Sequence, residues 1–573
     1  MVAAGTAAVA CSSSDAGGDA PKVDGGAVME ASPDTAPECP AAPALSCTAK
    51  QCSAQMSEPA VCVNNACVKL KSPECPIVLG PADDDSAVIV GGVHDVFGGL
   101  KLVGQASYNS HELAIKEIND KGGLRHPDRC KLSRPLVMVG CNESNVNPDG
   151  TTYLAPDGGT ELTRQQRAID HLAKDLDVQI MMGGDASGNS LALNNYMMPK
   201  YKRVYLSTRS TSPIFEHPTS FNASPDGTRL FWRATGNAKG QTAAMRLVLG
   251  QIATTAAATY SIPGGAVKVA LVAKNDAFGQ GTADAFDTGL QVNGQPAGGT
   301  NVNASYVRIN YRERPGVGIG DEQNDALAKL ETFGPDIIVI IGTDEFVNGT
   351  AGVNDPVKNT GILVPYENYV AADASKRKPF YLHSHASLAS AFNSYVNNFT
   401  NFKNEPATRK NFLDRTRGTN VSEPTALAAA FFNRYKGAYQ TPAETLYGMP
   451  EAYDAMYITG YLYAATFWKP EPVTSIALAK AFPSLVEGAM NVDNGPSAWN
   501  SAFQTLTTGG KINYNGAVSP FDWDYSTGEA PYNSNVWCVQ VNVATGTLFF
   551  QQNAGQVWKY ASGTLEGTFN CPN

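Results

Sequence analysis

The sequence predicts an α/β protein of two Rossmann-like lobes, each on a mainly parallel sheet, preceded by a small disulfide-rich module. Three observations carry this. The stretches 87–93, 178–187, 203–213, 267–281 and 335–342 each open on an apolar run and break into a small or polar loop, usually ahead of a helix-like segment. Such runs fit strands buried on both faces, with ligand loops at the carboxyl ends of the strands. The pattern occurs twice along the chain, which gives two lobes and a cleft between them. Six cysteines crowd into residues 39–75, ahead of the first run.

From the start of the chain, residues 1–11 are small and apolar up to Cys11. They are similar to the end of a bacterial lipoprotein signal, which implies cleavage before Cys11 and lipidation of its thiol. Residues 12–38 are rich in Ser, Gly, Ala, Asp and Pro and form no core, so they read as a flexible tether.

Residues 39–76 form the cysteine module, with Cys39, Cys47, Cys52, Cys62, Cys67 and Cys75. So short a segment needs covalent staples. Six cysteines allow fifteen connectivities, and the spacing selects none. A zinc reading needs close thiolate pairs, often with histidine, and the window has no histidine. All six are expected to be oxidised within the module. Residues 77–86 read as a short acidic linker.

The bilobal unit covers 87–573. Lobe 1 is expected over about 87–236 and 417–519, and lobe 2 over about 237–416 and 520–573. The Tyr457/Tyr461 and Tyr463/Phe467 spacings put aromatic rings on one helical face, which reads as core. Cys538 and Cys571 are read as bridging the C-terminal β segment. Cys130 and Cys141 meet only if 131–134 double back, because an extended 135–141 separates its ends by roughly 20 Å.

Composition narrows the function. Lys plus Arg number 43 and Asp plus Glu 53, for a net charge of −10 with no basic run, which speaks against nucleic acid. No Gly-x-Ser-x-Gly elbow, His-Glu-x-x-His or phosphate-binding loop occurs, so no enzyme is indicated. Residues 522–528 superficially resemble a calcium loop, but the Gly falls one place late and the twelfth position is Asn533. They read instead as a β-turn.

The order of these stretches, above all 269–286 and the helix start at 451–457, resembles the type I periplasmic solute-binding proteins, the leucine/isoleucine/valine receptor family of ABC transporters. The resemblance covers roughly 87–573. It implies the type I periplasmic binding fold, a multi-strand hinge with 231–236 as one crossing strand, an interlobe ligand, an ABC permease as partner, and no cofactor. In that family two first-lobe turns hold an amino acid's carboxylate and amine. Here the turns carry Asp185, Ala186 and Ser187, then Arg209, Ser210 and Thr211. Asp185 or Ser187 can cap the helix that follows, whose N–H groups suit a carboxylate.

The second-lobe side is expected from Phe278, Thr343, Asp344 and His385. Phe278 stands where the family often has Tyr, and His385 near the family's acidic residue for the ammonium group. That departure argues against a plain α-amino acid, although Asp344 or Glu345 is an alternative source of negative charge. His383 and His385, two apart in a strand, share a face and with Asp344 offer a metal reading; it is set aside for a metal-free site. The protein is therefore expected to be a bacterial periplasmic or cell-surface lipoprotein that captures a small polar ligand, an amino acid or related compound, for an ABC transporter. The alternatives are a sensing or surface-interaction receptor and, behind it, a hydrolase or metal-dependent enzyme.

Overall fold

Each apolar run is a strand, and the strands assemble into two sheets. The computed structural model describes residues 47–571 apart from 126–132, 156–162, 217–223, 225, 298–303, 313–321, 344, 349–360, 388–405, 424, 441–448, 468–472, 542–547 and 552. Cys11, the 12–38 tether, Cys39, Cys130 and Asp344 lie outside the described residues.

The cysteine module is a helix α1 (Ala49–Met56) and a hairpin of β1 (Ala60–Val63) and β2 (Ala66–Lys69). Disulfides join Cys47 to Cys62 and Cys52 to Cys67. Cys47, Cys52 and Cys67 lie close enough to suit a metal, but each is in a disulfide and offers no thiolate.

Two expectations about this region are corrected. The stretch read as a linker contains β3 (Ile77–Leu79), an edge strand of the first sheet. Cys75 pairs with Cys141, not within the module, and Cys141 is therefore not the partner of Cys130. The register explains both: Ile77 faces Gly140 in an antiparallel pair, which sets Cys75 beside Cys141. Ala49, Val61, Leu70 and Cys75 join the first-lobe core, so the module is packed onto that lobe.

The first sheet has the order β8-β7-β6-β4-β5-β3, with β4 (Val88–His94), β5 (Leu136–Asn142), β6 (Ile180–Gly183), β7 (Val204–Ser207) and β8 (Phe231–Arg233). All pairs are parallel except that of β3. The second sheet runs β10-β9-β11-β12-β13-β14-β15-β16. Its parallel strands are β9 (Val269–Lys274), β10 (Tyr306–Tyr311), β11 (Ile337–Ile341), β12 (Phe380–His383) and β13 (Thr416–Thr419). The antiparallel strands β14 (Ser534–Val541), β15 (Gln556–Lys559) and β16 (Thr564–Gly567) extend its edge, and Cys538 is bonded to Cys571 there. Both faces of β11 are covered: Ile338 and Ile340 belong to one core cluster, Ile337, Val339 and Ile341 to another.

Three segments cross between the lobes side by side, around 234–237, 420–423 and 529–533. Asn237 Nδ2 donates to Glu529 Oε2 at 3.0 Å, and Asn533 Nδ2 to Glu423 Oε2 at 2.9 Å. At Gly236 a Cβ would sit 2.3 Å from the Val421 carbonyl oxygen, so the close approach requires glycine. Two boundaries shift. The return to lobe 1 begins after Thr419 rather than at 417, because β13 is hydrogen-bonded between β12 and β14. Phe521, Trp523, Ala530 and Tyr532 still belong to the first-lobe core, so the last crossing is complete only near Ser534 rather than at 520.

The aromatic stripe is core: every residue of the helix Met449–Phe467 is buried, and Tyr461 stacks on Trp499 at 4.8 Å. No helix among the described residues is long and apolar enough to cross a membrane.

Candidate functional site

Every turn expected to carry the site lies at the carboxyl end of a strand. After β6, Gly183 (φ 131°) and Gly184 (φ 76°) reverse the chain into α3 (Ser187–Tyr201). A Cβ on Gly183 would lie 2.1 Å from the Val93 carbonyl oxygen, so only glycine fits. The N-cap of α3 is Ala186, and no side chain caps the helix.

Asp185 therefore does something other than the capping expected of it. Its Oδ2 accepts the Asp95 N–H at 2.7 Å, and its Oδ1 lies 2.8 Å from His94 Nδ1. His94 Nε2 in turn is 3.0 Å from Nε2 of His111, on the helix α2 (Lys101–Asp120). Burial, then the neighbouring His94, holds the His111 imidazole neutral. Glu143 Oε1 accepts the Asp185 N–H at 3.1 Å, and burial followed by the Asp185 charge pushes the Glu143 carboxyl well up. Ser187 likewise does not cap α3: its Oγ accepts the Ser212 N–H at 3.3 Å.

In the turn after β7, Arg209 Nε lies 3.4 Å from the Asp185 carbonyl oxygen and 3.9 Å from its carboxylate. The Ser210 hydroxyl donates to Ser190 Oγ. The carbonyl of Thr211 accepts the N–H of Ala238 at 2.7 Å, where α4 (Ala238–Thr259) begins. The Thr211 hydroxyl is buried and has no hydrogen-bond partner among the described residues. Thr208 has the same property.

The second lobe meets these turns directly. Ser212 Oγ donates at 2.6 Å to the carbonyl of Ala277, first residue of α5 (Ala277–Asp287). Asp276 caps that helix through the Gly279 N–H. The Phe278 ring meets His385 edge to face, centroids 5.4 Å apart. His385 Nδ1 lies 2.9 Å from Gln241 Oε1, while Gln241 Nε2 donates to the Thr419 carbonyl. Burial, then the Arg209 charge, pushes His385 down to about 3.

The shared histidine face is corrected. The strand β12 ends at His383, so the two-residue alternation stops there. His383 turns toward Trp537 at 5.7 Å, while His385 turns toward Phe278. The two do not form a metal pair.

Thr343 sits in a neighbouring polar cluster. Its hydroxyl donates to Glu345 and lies 3.2 Å from Lys274 Nζ; Tyr311 OH donates to Glu345 Oε1 at 2.9 Å. Burial alone would raise the Glu345 carboxyl, but Lys274 and Thr343 outweigh it and hold it low. Asp185, Ser187, Arg209, Phe278 and His385 thus form one chain of contacts across the lobes. Ala186 marks the uncapped helix start and Ser210 points into the first lobe. His94, His111, Gln241 and Ser212 are the additional residues that the sequence reading did not single out.

No protein-family model matches the chain, and no curated protein matches it in sequence. Solved structures do. A solute-binding protein of an ABC transporter from Rhodopseudomonas palustris HaA2, in complex with p-hydroxybenzoic acid, aligns with a TM-score of 0.52 at 14% identity, over 83% of this chain and 97% of that one. Another R. palustris solute-binding protein, in complex with 4-hydroxybenzoate, gives 0.50 at 13% identity, over 81% and 95%.

The fold is that of the type I periplasmic solute-binding proteins.

A leucine-binding protein from Thermotoga maritima MSB8 aligns with a TM-score of 0.48 at 16% identity, over 81% of this chain and 98% of that one. The contact chain from Asp185 to His385 lies at the carboxyl ends of strands of both sheets, joined where Ser212 meets Ala277.

Proposed function

We propose that the protein is an extracytoplasmic solute-binding lipoprotein. It closes its lobes on a small polar ligand, an amino acid or a related compound, and delivers it to an ABC permease. The observation that carries this reading is the Thr211 hydroxyl: buried, unpartnered among the described residues, and in the turn whose Arg209 reaches the Asp185 carbonyl and whose Ser212 N–H reaches Ser187 at the uncapped start of α3. Leaving a buried polar group unpaired costs about 1–3 kcal/mol, so a bound partner is the economical explanation. The Ser212 to Ala277 hydrogen bond supports closure by hinge motion at the three crossings. The reading requires no covalent chemistry or cofactor. The anchor at Cys11 belongs to the same proposal, and a soluble native protein with unmodified Cys11 would contradict it.

The alternative is a sensing or surface-interaction receptor; the cysteine module, which packs into the first-lobe core, is where a protein partner would bind under that reading. Purifying the chain and identifying a retained small molecule by native mass spectrometry tests the receptor reading.

A further inference from the structure

A chain of buried titratable groups lies behind the first-lobe turn. Asp185 Oδ1 is 2.8 Å from His94 Nδ1, and the Nε2 atoms of His94 and His111 face each other at 3.0 Å. All three side chains are buried. Only one proton fits between two facing nitrogens. With Asp185 as a carboxylate the bonds therefore run one way: His111 Nε2–H donates to His94 Nε2, and His94 Nδ1–H donates to Asp185. The nitrogen left over is His111 Nδ1, which is buried and has no hydrogen-bond partner among the described residues.

A further proton enters the chain at that nitrogen. Burial and the neighbouring His94 oppose it, and only the Ala452 carbonyl, on the helix Met449–Phe467, favours it. The charged groups around the pair have other partners. Arg209 lies 3.9 Å from the Asp185 carboxylate, and Glu143 accepts from the Asp185 N–H and from Asn189 Nδ2. Asp95 accepts the Gly98 and Leu100 N–H groups, and Tyr108 packs edge to face on His94. On α2 itself, Glu112 accepts from Tyr439, while Glu117 pairs with Arg434 and accepts from Tyr453 and Tyr457. On the helix Met449–Phe467, Glu451 precedes Ala452, and Asp454 bonds to Tyr514 of the strand Ile512–Asn515.

The half of α2 that carries this contact is also its weaker half. Leu100 at the N-cap supplies no side-chain cap, and Gly104 is required where a Cβ would strike the Asp95 carbonyl. Both features weaken a helix.

We infer that Asp185, His94 and His111 form a proton-sensitive clasp on the first-lobe turn. While both imidazoles are neutral, the clasp ties the turn after β6 to α2. When His111 takes a proton, residues 101–111 loosen and the turn is released, so acid favours letting a solute go. The closed chain holds His111 neutral, and opening returns it to the ordinary histidine range. Opening is therefore favoured as pH falls below about 6.5, by roughly tenfold per pH unit. The inference rests on the receptor reading only for the solute; the clasp itself belongs to the ligand-free first lobe.

The test is hydrogen exchange of the ligand-free full chain at pH 7.5 and pH 5.5, corrected for the intrinsic pH dependence of exchange. It is paired with NMR of the chain's seven histidines labelled with nitrogen-15. Opening of 101–111 and of 183–187 should rise about tenfold at the lower pH, while β11 keeps its protection. His111 Nδ1 should carry no proton at pH 7.5 and should gain one only in step with that opening. His111→Gln, which keeps a donor but does not titrate, should remove the pH dependence. Equal protection at both pH values overturns the clasp. So does a protonated His111 Nδ1 with 101–111 still protected, or acid loosening that survives in His111→Gln. Should that variant be loose at both pH values, the wild-type imidazole spectrum decides. None of these results depends on a retained solute, so the receptor reading stands or falls separately.

Discussion

At the scale of single residues, Thr211 and Asp185 differ in how far their roles could be read. Thr211 was legible because its turn follows a strand directly, so position alone places it at the cleft. The hydrogen bonds of Asp185 were not, because His94 and Asp95, at the end of β4, lie 91 and 90 residues earlier. His111 was hidden for the same reason: it reaches His94 only because α2 packs over β4. The Thr211 prediction is direct. A hydrogen bond to a charged group is worth roughly 1.5–3 kcal/mol, so Thr211→Val should weaken binding of the retained ligand about 10- to 150-fold. The melting temperature should not fall, since the hydroxyl has no partner among the described residues to lose. Titration calorimetry and thermal denaturation of the variant check both halves.

At the scale of elements, the apolar strands were legible because parallel sheets bury both faces, and five consecutive buried residues in β11 leave little ambiguity. What escaped was set by pairing across the chain. Ile77–Leu79 is too short to stand out and becomes a strand only because β5 offers it an edge. The Cys75–Cys141 bond follows from that register, and it replaces the expectation that an isolated 39–75 segment would contain no free thiol. Cys141→Ser should expose the Cys75 thiol to labelling and lower stability to denaturant by about 2–5 kcal/mol.

A second element-scale prediction concerns Asp454, on the buried helix Met449–Phe467. Its carboxyl accepts from Asn494 and Tyr514 at 3.0 Å each and from the Ala517 N–H at 2.7 Å, so it ties that helix to the strand Ile512–Asn515 and the turn beyond. Burial pushes it up to about 6. The folded state then holds a proton that the unfolded state has released, so stability falls as pH rises from about 4 to about 6 and levels off above that. The slope amounts to roughly 3 kcal/mol. Asp454→Asn should flatten this part of the stability profile while lowering its level through the lost Ala517 bond. Denaturation measured between pH 4 and pH 7 reads both effects.

At the scale of the whole molecule, two lobes were legible from the repetition of one pattern, but the hinge was placed loosely. The crossings are defined by side-by-side hydrogen bonds such as Asn237 to Glu529, and no local composition marks them. Closure has an identifiable latch in Ser212 Oγ on the Ala277 carbonyl. A net hydrogen bond contributes about 0.5–1.5 kcal/mol, so Ser212→Ala should weaken ligand binding roughly 2- to 10-fold and shift the ligand-free protein toward an open form, visible as a larger radius of gyration in solution scattering.

The central claim is that the cleft holds a small solute through Arg209 and Thr211, and native mass spectrometry of the purified full chain tests it most directly. The account predicts a small-molecule adduct on the wild-type protein that is diminished in Thr211→Val and missing in Arg209→Met. An adduct undiminished in both variants, or a wild-type chain that carries none, would contradict it.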